Sequence, residues 1–266
     1  MTHKKNTGLP AEPNSHSIRC STAAYDAVVT SVLQMPQLGQ PSTRQLLSRI
    51  FHSLDYPALA SIYCDEGGNA FWKDRKGPCQ KLGLRIAKAL SQHLNPTGQS
   101  LYVGAGVAEI PMLLVETRDL NRTVHAFNLR EIEVTILNQA CKGLPFSFTA
   151  GDVRFDDGAF NHLGIVSVLN DPECYPETSA LSYGRANPVT FDTEKFLQEK
   201  KQIQSLIGSC LEKLTLPGLV TTSVEEVSWI IYWCDRHQVG YEIVDKTLPT
   251  AIVGDPICFI RLSPIA

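Results

Sequence analysis

Apolar positions along the chain change their period near residue 95. Between Ser21 and Phe51 they recur at helical spacing. Tyr25, Val28, Val29, Val32 and Leu33 form one stripe, and Leu46, Leu47 and Ile50 form another after the break at Pro36 to Pro41. Two packed helices are predicted. A third segment, Tyr56 to Tyr63, runs into CDEGGNAFWKDRKGP, whose glycines and charges predict a loop. Phe71 and Trp72 within it suit either a core plug or a substrate wall. Leu82, Leu84, Ile86, Ala87, Leu90 and Leu94 then predict a helix that ends near Asn95-Pro96, where proline opposes continuation.

Beyond that point short apolar runs alternate with helical ones. SLYVGAG is a strand ending in glycines, followed by a helix through Leu114; TVHAFN is a second strand, followed by the helical REIEVTILNQAC. PFSFTAGD and LGIVSVLND are the predicted third and fourth strands, a β-α-β-α-β series that calls for a largely parallel sheet. FDTEKFLQEKKQIQSLIGSCLEKL is an amphipathic helix, LPGLVTTSV the next strand and EEVSWIIYWCDRHQ the next helix. YEIVDKT and PICFIRLS close the chain as two strands whose connection, containing Gly254 and Asp255, has no room for a crossover helix, so they pair antiparallel. The predicted organisation is a tail over 1–19, a helical cap or substrate wall over 20–95, and an α/β domain over 96–266 with a Rossmann-like seven-stranded sheet.

Composition narrows the class. At 43% hydrophobic and 19% charged, 266 residues can bury one principal core. A net charge of −3 gives no general attraction to nucleic-acid phosphates or anionic lipid, which favours a small-molecule partner over nucleic acid or membrane. Lys4 and Lys5 lead into a Gly, Pro, Asn and Ser-rich stretch, which predicts a flexible tail and not a signal peptide, and no run approaches a membrane span. The eight cysteines are scattered without a CxxC pair, as expected of reduced thiols in a cytoplasmic protein. The seven histidines show no metal-ligand spacing.

Candidate chemistry begins at Gly104, Ala105 and Gly106, where the first strand turns into a helix. Missing side chains there permit a tight turn and close approach of a ligand, and the free amides favour a negative group. Taken alone, such a turn also suits a purely structural βα connection. The order LYVGAGVAEIPMLL, AFNLRE, AGDVRFDD, VLNDPECYP and LPGLVTTSV with a terminal antiparallel pair resembles the class I S-adenosylmethionine-dependent methyltransferases over roughly 165 residues. The resemblance implies S-adenosylmethionine as cofactor and places its methionine part on Gly104 to Gly106. It puts the ribose on Asn128 with Leu129, and the adenine amine on Asp152 with Val153. Tyr102 stands where the family usually has an acidic residue, Asn128 where a carboxylate usually ends the second strand, and Asn170 completes the cofactor set after the fourth strand.

NDPECYPE follows that strand at the sheet edge where open α/β folds bind ligands. A carboxylate from Asp171 or Glu173 can accept a proton from a nucleophilic amine or hydroxyl, and Tyr175 can orient it, so these three are the catalytic candidates. The segment is similar to the Asn/Asp-Pro-Pro-aromatic motif of amino-methylating enzymes, with Glu173 and Cys174 replacing the second proline and the aromatic. A loop with solvated carboxylates is the plainer alternative. Cys174 is read as a passive cysteine, since no partner base is evident.

The expected function is methyl transfer from S-adenosylmethionine to a small-molecule acceptor. Three alternatives stand beside it. The glycine turn and AFN are also similar in layout to the nicotianamine synthase family, which moves an aminocarboxypropyl group. GAG opens a dinucleotide fingerprint, although Glu109 occupies the place of its third glycine. Tyr102 and Asn128 also suit a methyltransferase-like binding or scaffold protein.

Overall fold

The computed structural model describes residues 41–63, 69–252 and 254–265; those from Ser42 onward form one compact unit. The stripe Tyr25 to Leu33 and the predicted tail lie outside the described residues. Helix α1 (Thr43–Ser53) begins with a capping box: Gln45 N–H donates to the Ser42 hydroxyl and the Gln45 side chain accepts the Ser42 N–H at 2.8 Å. Its predicted stripe, Leu46, Leu47 and Ile50, is buried.

Helices α2 (Tyr56–Tyr63) and α3 (Asn69–Leu90) follow. Here the structure corrects the predicted loop, because NAFWKDRKGP is the start of α3, with Pro78 inside the helix. Burial explains it: Trp72 packs tilted on Tyr56 at 5.5 Å and edge-on to Phe71 at 5.2 Å, a gain that offsets the poor helix propensity of Gly77 and Pro78. Both aromatics are core residues.

The α/β series is β1 (Gln99–Val103), α4 (Ile110–Arg118), β2 (Thr123–Asn128), α5 (Glu131–Ala140), β3 (Phe148–Ala150) and β4 (Phe160–Ile165). It continues with α6 (Pro176–Ser182), α7 (Thr193–Glu212), β5 (Leu214–Ser223), α8 (Val227–His237), β6 (Val239–Ile243) and β7 (Ile257–Pro264). The sheet order is β3-β2-β1-β4-β5-β7-β6, parallel throughout except for β7, which runs antiparallel to both β5 and β6. The predicted fourth strand is shifted. β4 starts earlier, at Phe160, and VSVLND leaves the sheet as Ser167 turns to a φ of 55°.

Alternate strand residues feed two cores. Tyr102, Ala126, Phe148 and Phe259 face α1 to α5, whereas Leu101, Leu163, Val220 and Ile260 face α7 and α8. The described part of the predicted helical cap, α1 to α3, therefore shares the first of these cores with α4 and α5. Among the described residues no helix is long and apolar enough to cross a membrane.

A buried polar network braces the amino-terminal end of the sheet. Glu116, 1% exposed, accepts hydrogen bonds from the Ser100 and Tyr102 hydroxyls and pairs with Arg122 at 2.9 Å, with His162 Nδ1 3.2 Å away. Arg122 also donates to the carbonyls of Asn95 and Thr97 and to Asn161, tying the approach to β1 onto β4. Gly164 is required because the Tyr102 ring lies across it: an added Cβ would stand 2.5 Å from that ring.

Candidate cofactor-binding site

The strand order reverses between β1 and β4, since β2 and β3 lie on one side and β5 on the other. Open α/β sheets bind ligands at the carboxyl ends of the strands at such a switch point. A cavity of about 310 Å³ lies there, within the size range of small-molecule sites. Gly104, Asn128, Leu129, Asp152, Val153 and Tyr175 line it, so the structure brings six of the residues expected from the sequence to one place.

Each is set there by its local fold. Gly104 ends β1 with a φ of 67°, and a Cβ would come within 2.5 Å of Val168 Cγ2, so glycine meets both a backbone and a space requirement. Asn128 ends β2 and joins two turns: its Nδ2 donates to the Ala105 carbonyl at 2.9 Å and its Oδ1 accepts the Arg130 N–H at 2.8 Å. Leu129 projects next to it, 71% exposed. Asp152 caps the short turn Val153–Phe155 through the Arg154 N–H, and the Arg154 guanidinium grips the same carboxylate at 2.5 to 3.0 Å. That grip holds the Asp152 carboxyl below its usual range.

Other expected residues are placed elsewhere. Tyr102 is a correction: its side chain is buried and donates to Glu116, on the face of the sheet covered by α4, and takes no part in the cavity wall. The alternation of strand side chains decides this, since Val103 and Tyr102 must face opposite sides. Ala105 and Gly106 are buried behind the turn. The Ala105 N–H donates to the Phe127 carbonyl, and the Gly106 N–H donates to the Glu109 carboxylate at 2.8 Å, so an internal acid takes the amide expected to meet a ligand. Burial pushes the Glu109 carboxyl up to about 7. Asn170 is buried and outside the cavity lining.

The three catalytic candidates separate. Tyr175 lines the cavity beside Asp152, and burial raises its phenol. Asp171 and Glu173 instead engage Arg130, at 3.9 and 2.6 Å, and Asp171 Oδ1 accepts the Glu173 N–H at 2.8 Å. Arg130 thereby straps the loop after β2 to the loop after β4. Cys174 is no activated thiol, because burial first and Asp171 second raise it. Arg154, Gln202 and Leu206 also line the cavity, the last two from α7. The amphipathic pattern of that helix foretold a core face, but nothing in it marked which residues reach the cavity.

No family model matches the chain, and no curated protein matches it in sequence. Among solved structures it is similar to the magnesium protoporphyrin IX methyltransferase of Synechocystis PCC 6803 with bound S-adenosylmethionine, at 14% identity over 84% of this chain and 98% of that one, with a TM-score of 0.49. The N-methyltransferase NodS of Bradyrhizobium japonicum WM9 gives 12% identity over 71% and 98%, with a TM-score of 0.46. The seven-stranded order with β7 reversed between β5 and β6 is what decides the fold. It is the Rossmann-like seven-stranded sheet with a terminal antiparallel pair expected from the sequence.

Proposed function

We propose that the chain binds S-adenosylmethionine in this cavity and transfers its methyl group to a small-molecule acceptor. The observation that carries the reading is the cavity's position at the switch point, walled by a glycine that admits no side chain. The residues present fit such a nucleoside. Val103, Val153 and Leu206 offer apolar walls for a base, while Asn128 and Asp152 offer polar atoms at the ends of β2 and β3. Bound there, S-adenosylmethionine supplies a methyl group activated by its sulfonium. The protein's own contribution is alignment and exclusion of water, with Tyr175 covering one side of the cavity and Arg130 holding its two flanking loops together.

One observation favours the scaffold alternative. Both side-chain atoms of Asn128 are already engaged with backbone groups, and Asp152 is gripped by Arg154, so neither polar group is free of internal partners. Titration calorimetry with S-adenosylhomocysteine, S-adenosylmethionine and NAD separates the readings. The transferase reading expects heat with the first two and none with NAD, and it expects Gly104→Val to abolish that heat while the variant keeps its circular dichroism. Absence of heat with all three would leave the scaffold.

A further inference from the structure

A second polar cluster stands at the carboxyl ends of β4 and β5, built from segments distant in sequence. Asp255, on the β6–β7 connection and nine-tenths buried, accepts hydrogen bonds from the Tyr183 hydroxyl at 2.5 Å and the Ser167 hydroxyl at 3.3 Å. Tyr183 caps the end of α6, and the residue before it, Ser182, donates to Asn170 Oδ1 at 3.4 Å. Asn170 is 1% exposed, and its Nδ2 has no hydrogen-bond partner. Glu225, in the turn after β5, likewise buries Oε2 without a partner. Neighbouring Glu226 shows the contrast, since it accepts from Ser223, Thr222 and the amides of Ser167 and Leu169.

Native folds pair nearly all buried polar atoms, because leaving one unpaired is costly. Two such atoms, one amide and one carboxylate, lie on the loops after β4 and β5 next to the segments that meet at Asp255, and a ligand that pairs them would account for both. Its charge follows from the surroundings. Asp255 and Glu225 make no ion pair among the described residues, and Arg185 is stacked over the Tyr183 ring at 4.9 Å. A cation is favoured, and a carboxylate-bearing molecule would face two carboxylates with no cation paired to either. Asn170 is served by a hydroxyl, which both donates and accepts and so suits the amide in either orientation. Exposed Ser182 and Gly254 flank the cluster and bring it to the surface.

We infer that the Asp255, Glu225, Asn170 and Tyr183 cluster binds a protonated amine with a neighbouring hydroxyl, and that this is where the acceptor is held. The second half rests on the transferase reading of the adjoining cavity. The test uses the full chain, isotope-labelled, titrated by NMR without cofactor with ethanolamine, glycolate and ethylene glycol. Ethanolamine is expected to give saturable shifts at the amides of Ser167, Asn170, Tyr183, Glu225 and Asp255, and glycolate none. Asp255→Asn is expected to weaken ethanolamine by about tenfold or more, the scale of one charged hydrogen bond. Glu225→Gln, at a partly exposed position, gives the same direction should Asp255→Asn fail to fold. Equal shifts with glycolate, or no shifts at these amides in a protein that still binds S-adenosylhomocysteine, overturn the site and leave the cavity reading intact. Shifts with ethanolamine in a protein that binds no S-adenosylhomocysteine support the amine site and remove only its role in methyl transfer.

Discussion

The two ends of the sheet treat buried carboxylates in opposite ways. At the amino-terminal end Glu116 is surrounded by Ser100, Tyr102, Arg122 and His162, and its charge is fully answered. At the carboxyl-terminal end Asp255 and Glu225 sit among hydroxyls and an amide with no cation paired to them, and two polar atoms are left over. The first arrangement sets its carboxylate against a guanidinium and an imidazole, whereas the second leaves its carboxylates without a cation. A satisfied buried network rigidifies a fold, whereas an unpaired buried group calls for a further partner, such as a water or a ligand.

The comparison breaks most sharply at Arg122. Arg122→Met leaves Glu116 buried without its guanidinium, and removing one partner of a buried pair costs about 3–5 kcal/mol. Urea unfolding should show this loss, while variants at Asp255 should lose far less, because their carboxylate has no cation to miss. A loss below about 1 kcal/mol would mean that Arg122 is held in a pair of the weak, solvent-screened kind.

Acid sharpens the same contrast. Burial raises the Glu116 carboxyl, but the His162 charge and hydrogen bonds from His162, Ser100 and Tyr102 outweigh it and bring the group down to about 2. A depressed carboxyl contributes stability that is fully present above its unfolded value near 4.5 and is lost as pH falls through about 2. Glu109 has the opposite sign: raised to about 7, it contributes stability below 4.5 that is lost as pH rises through 7. Glu109→Gln should therefore stabilise the protein on the order of 1–3 kcal/mol at pH 8 and much less at pH 5, with the amide oxygen still accepting the Gly106 N–H. Thermal melts at the two pH values check it, and an equal shift at both would show that Glu109 does not titrate between them.

Much of this architecture was legible in the sequence because local chemistry wrote it there. Gly104 marks the turn, the period changes at Asn95, and YEIVDKT and PICFIRLS lie too close for a crossover. The first half of helix α3 was not legible, because the burial of Trp72 against Tyr56 is a tertiary effect that overrides the local message of Gly77 and Pro78. Tyr102 was misassigned for a related reason. Its place before the glycine turn suggested the cofactor, but strand alternation turns it to the opposite face, toward a glutamate that only the packing of α4 brings near. The Asp255 cluster gathers residues from 167 to 255, so no spacing in the chain announces it.

The smallest expected effect is at Asp171, and it separates the two candidate acceptor positions. Asp171 lies 3.9 Å from Arg130, which has a closer partner in Glu173 at 2.6 Å, and its Oδ1 accepts the Glu173 N–H. Asp171→Asn keeps an oxygen for that N–H and removes only the longer charge contact, at a partly exposed pair where such contacts contribute about 0–1 kcal/mol. Stability and S-adenosylhomocysteine affinity should stay close to the parent values. Turnover of an amine acceptor should fall no more than about threefold, since a lost proton acceptor would cost about 10²–10⁴-fold. Asp255→Asn, measured beside it, should show the larger fall. If the order is reversed, with Asp171→Asn losing a hundredfold across the pH range and Asp255→Asn little changed, then the proton leaves through the Arg130 strap. In that case the open carboxylates at the β6–β7 connection do not hold the acceptor.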